Sequence, residues 1–141
     1  MTYAADFEKT FADDDWSRLT QYFSDDAVYR VESDLFGCEL TGPQAIFAGI
    51  KKSLDGFDRR FDAREIAVIE GPNVDGDEVQ ITWQVTYQKG AVPPFVLRGA
   101  SRARLRDGKI VLLVDSYDER VAVEAADWMR QTGVQFDPSY V

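Results

Sequence analysis

The chain has 141 residues, no histidine, a single cysteine and a formal net charge of −9. That excludes histidine triads, histidine-ligated zinc, an internal disulfide and a cysteine metal cluster. An acidic domain also repels phosphate backbones, so nucleic acid is not an expected partner. Acid–base chemistry is left to Asp, Glu, Tyr, Lys and the Cys38 thiol.

The opening segment TYAADFEKTF lacks the basic start and apolar run of a signal peptide, and no stretch approaches ~20 apolar residues. The expectation is one soluble, cytoplasmic domain over 1–141 with no membrane partner. Thr2 to Ala12 reads as a short helix, with Ala4, Ala5, Phe7 and Phe11 at helical spacing. Asp13, Asp14 and Asp15 are expected to cap a second helix from Asp15 to Phe23, whose apolar side carries Trp16, Leu19, Tyr22 and Phe23. Ser24-Asp25-Asp26 reads as a turn. Ala27 to Glu32 alternates as a strand, with Ala27, Tyr29 and Val31 on one face. Asp34 to Thr41 reads as a hairpin arm around Gly37. Gly42-Pro43 opens a helix striped by Ile46, Phe47, Ile50 and Leu54, with Gly56 as its stop.

The period then changes to that of strands. Arg60 to Glu70 is a strand, followed by loop signals at Gly71-Pro72-Asn73 and Asp75-Gly76-Asp77. Glu78 to Lys89 alternates cleanly, with Val79, Ile81, Trp83, Val85 and Tyr87 on its dry face. After a loop at Gly90–Pro94, Phe95 to Arg106 puts Leu97, Gly99 and Ser101 on one face and Arg98, Arg102 and Arg104 on the other, as an outer charge ladder. Asp107-Gly108 is a hairpin turn. It delivers GKIVLLVDSYDE, in which Val111, Leu113, Asp115 and Tyr117 share one face and Ile110, Leu112, Val114 and Ser116 the other. Arg120 to Thr132 is helical, with Val121, Ala125, Trp128 and Met129 as its stripe; Gly133 ends it and 134–141 is a tail. Helices first and long antiparallel strands after them define an α+β layout, with helices on one face of a curved sheet.

Asp115 is the candidate functional residue. It sits among apolar neighbours, and a buried carboxylate costs several kcal/mol unless it is paired, hydrogen-bonded or protonated. It is either an anchored structural acid or a base with a raised pKa. Tyr29 and Tyr117 are hydrogen-bond donors to an oxyanion or ordinary core residues. Trp16, Trp83 and Tyr87 are pocket wall or core. Strand parity directs Tyr29, Val31, Trp83 and Val85 to the same interior as Leu113 and Asp115. Leu97 completes the expected lining. Cys38 has no neighbourhood that argues for a thiolate.

The element order together with FSDDAVYRVES, GPQAIFAGIKKSL and RDGKIVLLVDSYDE resembles the nuclear transport factor 2-like superfamily. Within it the chain is similar to the SnoaL-like branch, which includes the SnoaL polyketide cyclases and is related to limonene epoxide hydrolases and ketosteroid isomerases. The likeness spans about 5–120. It implies a cone: a sheet curled around the N-terminal helices, with an internal pocket for a hydrophobic small molecule and a dimer through the outer sheet face. Asp115 matches the active-site aspartate of the cyclases and one of the two acids of the epoxide hydrolases. Tyr29 matches a water-holding tyrosine of the hydrolases. Val31 stands where their asparagine is expected, and near the isomerase base; Trp83 and Val85 stand where the hydrolases carry an Arg-x-Asp pair. The histidine that assists in the cyclases is absent.

Two functions follow as expectations. One is an enzyme of the cyclase, isomerase or hydrolase type, acting on a carbonyl-bearing or polycyclic molecule, with Asp115 as base and Tyr29 or Tyr117 holding an enolate. The other is a non-catalytic ligand-binding or protein-interaction domain in which Asp115 only anchors. Neither calls for a cofactor or metal. The expected partners are a small hydrophobic molecule and a second copy of the chain, the latter covering Leu112, Val114 and Ala100.

Overall fold

The structure, a computed structural model, describes residues 2–33, 37–118, 120–137 and 139–140. Helix α1 spans Tyr3–Asp13, followed by a 3-10 helix at Trp16–Tyr22. Strands β1 (Phe23–Glu32) and β2 (Cys38–Thr41) precede α2 (Pro43–Gly56). A 3-10 turn at Asp58–Arg60 leads into β3 (Ala63–Asp75), β4 (Glu78–Gln88), β5 (Phe95–Arg106) and β6 (Lys109–Tyr117). Helix α3 spans Val121–Thr132. The strands form one curved, unclosed six-stranded sheet in the order β2-β1-β6-β5-β4-β3. Only β1 and β6 run parallel; every other neighbouring pair is antiparallel. The α+β cone is the observed fold.

Several local features differ from the expectation, each for a physical reason. The acid run does not cap the second helix through its backbone. Asp14 instead ends α1 in the left-handed region (φ 63°) and takes Lys51, Arg59 and the Trp16 indole N–H. Asp13 holds Arg18 at 2.7 Å. That second helix is of the 3-10 type, short and tightly wound. Ser24–Asp26 belongs to β1 rather than to a turn: buried Phe23 already pairs with Ile110, and the register then jumps to Val28 opposite Leu112. The intervening polar residues bulge outward, where Asp26 meets Arg106. Gly71–Asn73 likewise lies inside β3, as a break in its register with β4. The arm expected around Gly37 is seen as β2 paired with β1; Asp34–Phe36 lie outside the described residues.

The most consequential difference lies at Val111. Arg104 pairs with Leu112 but Leu105 pairs with Ile110, so Val111 is an extra residue, a β-bulge. Ile110 therefore points into the core (6% exposed), not to the outer face, and parity reverses beyond the bulge.

Helix α2 buries Ile46, Phe47, Ile50 and Leu54 against the concave side. A ring cluster of Phe57, Phe61, Tyr87, Phe95, Trp128 and Phe136 fills one end of the cone. Such ring pairs contribute about 0.5–1.5 kcal/mol each beyond area burial. The Trp128 indole also donates to the Pro93 carbonyl at 2.8 Å, fixing α3 to the loop before β5. Edge strand β3 is the exception to dense packing. Val68 and Val74 are 56% and 70% exposed.

Candidate functional site

The site is built on the three strands at the middle of the cone. Val31 of β1 and Ser101 of β5 flank Asp115 of β6 in register, so three inward side chains lie in one row. The next row places Tyr29 beside Leu113, which faces Ala103; the row on the other side places Trp83 beside Gly99 and Gly99 beside Tyr117. Gly99 is required there, because a Cβ would fall 2.7 Å from the Trp83 ring and 2.6 Å from the Ser116 carbonyl. The glycine leaves room for the indole to pass over β5 and reach Ser101.

Both carboxylate oxygens of Asp115 accept hydrogen bonds. The Tyr29 hydroxyl donates to Oδ2 at 2.7 Å and the Ser101 hydroxyl donates to Oδ1 at 2.6 Å. The Trp83 indole N–H donates to Ser101 Oγ at 2.9 Å and so orients the serine proton toward Asp115. Tyr117 packs edge-on against Trp83, with ring centroids 5.6 Å apart. Its hydroxyl lies 3.4 Å from that of Tyr140 in the C-terminal segment.

Burial raises the Asp115 pKa above its ordinary value, and the Ser101 and Tyr29 hydroxyls pull it back only in part. Charge-assisted hydrogen bonds contribute ~1.5–3 kcal/mol each, against a desolvation cost of several kcal/mol for a buried ion. Among the described residues no cation contributes to holding its charge. Asp115 is densely surrounded, yet it keeps some surface open to water, as do Ser101, Tyr117 and Tyr140. Burial, and then the Asp115 charge, hold the Tyr29 hydroxyl well above its ordinary range. Burial does the same for Tyr117, with Tyr140 and Asp115 adding to it. Tyr140 is pushed up to about 12, again by burial first and Asp115 second. All three tyrosines stay protonated at neutral pH; Tyr29 donates to the carboxylate, and Tyr117 and Tyr140 meet each other beside it.

A second buried aspartate gives the contrast. Asp58 accepts from Tyr87 at 2.9 Å, but it also holds Arg64 at 3.0 Å, and Arg64 in turn reaches Glu8. That arrangement is a paired, structural acid. Burial raises the pKa of both acids, with Arg64 and Tyr87 pulling Asp58 back; Asp115 has the tyrosine without the arginine.

Of the candidates read from the sequence, the structure gathers Asp115, Tyr29, Tyr117, Val31, Trp83 and Leu113. Val85 and Leu97 pair with each other one row further along and are buried in the core. Tyr87 lies in the ring cluster with its hydroxyl on Asp58. Trp16 lies apart, edge-on to Phe7 and tilted against Phe47, beside a shallow surface hollow bordered by Thr20, Asp25 and Pro43. The Cys38 thiol is held up in pKa by burial, as befits an unreactive side chain. Sequence reasoning missed Ser101, Tyr3 and Tyr140. Tyr3 of α1 is partly buried, and burial first and the Asp115 charge second raise its phenol. Tyr140 was counted with the tail, although Phe136 and Tyr140 are unusually aromatic for a free end.

A cone of this kind, with helices on one side and inward polar groups on its central strands, defines a fold class. The SnoaL-like domain model matches residues 4–113, and the chain belongs to that family. No curated protein matches it. Among solved structures it is similar to an NTF2-like protein of Burkholderia thailandensis, with TM-score 0.65 and 16% identity over 88% of this chain and 94% of that one. It is similar to an LEH-like epoxide hydrolase of M. tuberculosis at TM-score 0.60 and 17% identity, covering 92% and 87% of the two chains. It is also similar to TerC, co-crystallised with polyporic acid, at TM-score 0.61 and 19% identity, covering 86% and 91%. At these identities the likeness is one of fold.

Proposed function

We propose that this protein is an enzyme that moves a proton on a hydrophobic, carbonyl-bearing or polycyclic small molecule, with Asp115 as the base. The observation that carries this reading is a buried carboxylate with a raised pKa and no cation among the described residues to neutralise it. A structural acid is expected to carry a partner such as the Arg64 of Asp58. In the proposed step the carboxylate takes a proton from the carbon next to a carbonyl. The C–H electron pair becomes the C=C bond of an enolate, and the carbonyl pair moves to oxygen. The protonated Tyr117 hydroxyl holds that oxyanion, while Tyr29 and Ser101 keep the carboxylate in place. Return of the proton to another carbon completes an isomerisation; alternatively the enolate carbon attacks a second carbonyl, whose π pair moves to its oxygen and takes the proton back from Asp115, and a ring closes.

The partial exposure of Asp115, Ser101, Tyr117 and Tyr140, all on the concave side, supports a hollow beside the carboxylate. The fold relationship to an epoxide hydrolase and to a protein solved with polyporic acid supports a hydrophobic occupant. The test is exchange of the α-protons of 2-tetralone in D2O, followed by NMR. The unaltered protein should accelerate exchange over buffer, and Asp115→Asn should remove the acceleration while retaining ketone binding.

A second reading is a non-catalytic binding domain. The observation in its favour is that both Asp115 oxygens already have donors, which suits an anchor. It requires Asp115→Asn to change affinity only and no form of the protein to accelerate exchange.

The proposed assembly is a homodimer through the outer sheet face, in the cytoplasm. Leu112 and Ala100 are half-buried there and support a cover, whereas Val114 is already buried within one chain. Light scattering at micromolar concentration should return twice the 15.9 kDa chain mass; a monomer would refute it.

A further inference from the structure

The C-terminal segment is built into the fold. Phe136 lies 4.6 Å from Phe61 and 5.2 Å from Phe57, and it stacks on Trp128 at 13°. The Asp137 N–H donates to the Gly56 carbonyl at 3.2 Å. Where the segment crosses α2, two glycines make room for it. A Cβ at Gly56 would collide with the Asp137 carbonyl, and one at Gly49 would lie 3.3 Å from the Tyr140 carbonyl and collide with Leu40. Glycine is unfavourable in a helix relative to alanine, so glycines at the two contact points of α2 suit the docking of this segment. The segment ends with the Tyr140 ring 5.9 Å from the Tyr29 ring and its hydroxyl 3.4 Å from that of Tyr117. Those are the tyrosines that flank Asp115.

We propose that Tyr140 is the resident occupant of the Asp115 site, and that an aromatic or fused-ring ligand bearing one hydroxyl or carbonyl oxygen binds by displacing it. This rests on the reading of the Asp115 interior as a ligand site. The ligand's ring takes over the contact with Tyr29, and its oxygen takes over the contact with Tyr117. Phe136 and the Asp137–Gly56 bond stay as the hinge. The ring then sets affinity: a segment that fills the site nine-tenths of the time weakens ligand binding about tenfold.

The experiment measures binding of 2-naphthol by its fluorescence, with naphthalene as the partner lacking the hydroxyl. Tyr140→Ala and Gly56→Ala act on the segment from opposite ends, one by removing the ring and the other by lifting the backbone off α2. Both should bind 2-naphthol about tenfold tighter than the unaltered chain, with unchanged circular dichroism. Tyr117→Phe should erase the preference for 2-naphthol over naphthalene. If Tyr140→Ala does not fold, Gly56→Ala decides. Equal or weaker binding by the variants overturns the proposal alone, because Tyr140 is then a wall of the site and not its occupant. Failure of every form to bind either probe overturns it together with the reading it rests on.

Discussion

Ser101 hydrogen-bonds Asp115 at 2.6 Å because the two residues face each other across β5 and β6, and they do so only because Val111 is bulged. From the Arg106–Lys109 pair an unbroken ladder sets Ser101 opposite Val114 and Asp115 opposite Ala100, on the outer face. The extra residue reverses the parity of everything after it. One bulge therefore brings Asp115 inside and supplies its donor.

Ser101→Ala removes that donor and leaves burial in place. The Asp115 pKa should rise further above the ordinary carboxylate range, since the hydroxyl favours the charged form. Carboxyl carbon NMR titration of the labelled protein measures it. The same variant should lose about 1–3 kcal/mol of stability where Asp115 is ionised, as expected for a charge-assisted bond.

Asp115→Asn should stabilise the fold at neutral pH. A carboxylate whose folded pKa is raised contributes stability that is complete below its unfolded pKa, ~3.9, and lost as pH rises through the folded value. At pH 7 the unaltered protein has already lost it, and the amide has none to lose. The gain in melting temperature should shrink as pH falls toward 4. A variant less stable at every pH would show that the two hydroxyl donors, not burial, dominate.

Burial raises the Asp58 pKa as well, yet Asp58→Asn should destabilise the fold, because here the carboxylate has a cation that loses its partner. It leaves Arg64, whose side chain is 10% exposed, with the more exposed Glu8 and the Phe11 ring in place of a buried carboxylate. Breaking a buried pair from one side costs about 3 kcal/mol at the lower end of its range. Urea denaturation should show this loss, together with an unchanged α-proton exchange rate. Two Asp–Tyr pairs in one fold would then be separated into a structural and a chemical one.

Much of the fold was legible in the sequence because its signals were local. Alternation over Glu78–Lys89, the Asp107-Gly108 turn and Pro43 at a helix start each specify their element without help from distant residues. The inward direction of Asp115 was also read correctly, but from the apolar company it keeps; the bulge that sets it was invisible, and Ile110 was placed on the wrong face for that reason. Ser101 was seen on the right face yet not as a partner, since its register with Asp115 depends on the same bulge. Tyr140 depends on a docking between segments far apart in sequence. Its trace was the pair of glycines in α2, of which Gly56 was read as a helix stop and now has a second role as a seat for Asp137.

The most direct test of the central claim is the pH profile of α-proton exchange, set beside the NMR titration of Asp115 in the same protein. The account predicts that exchange rises with pH along a limb whose midpoint coincides with the Asp115 carboxyl, above the ordinary aspartate range. It predicts that Ser101→Ala moves both upward together. No falling limb should appear below about pH 10, because Tyr29, Tyr117 and Tyr140 are all held above the ordinary tyrosine value. An exchange midpoint that ignores the Asp115 titration, or that stays put in Ser101→Ala, would contradict Asp115 as the base.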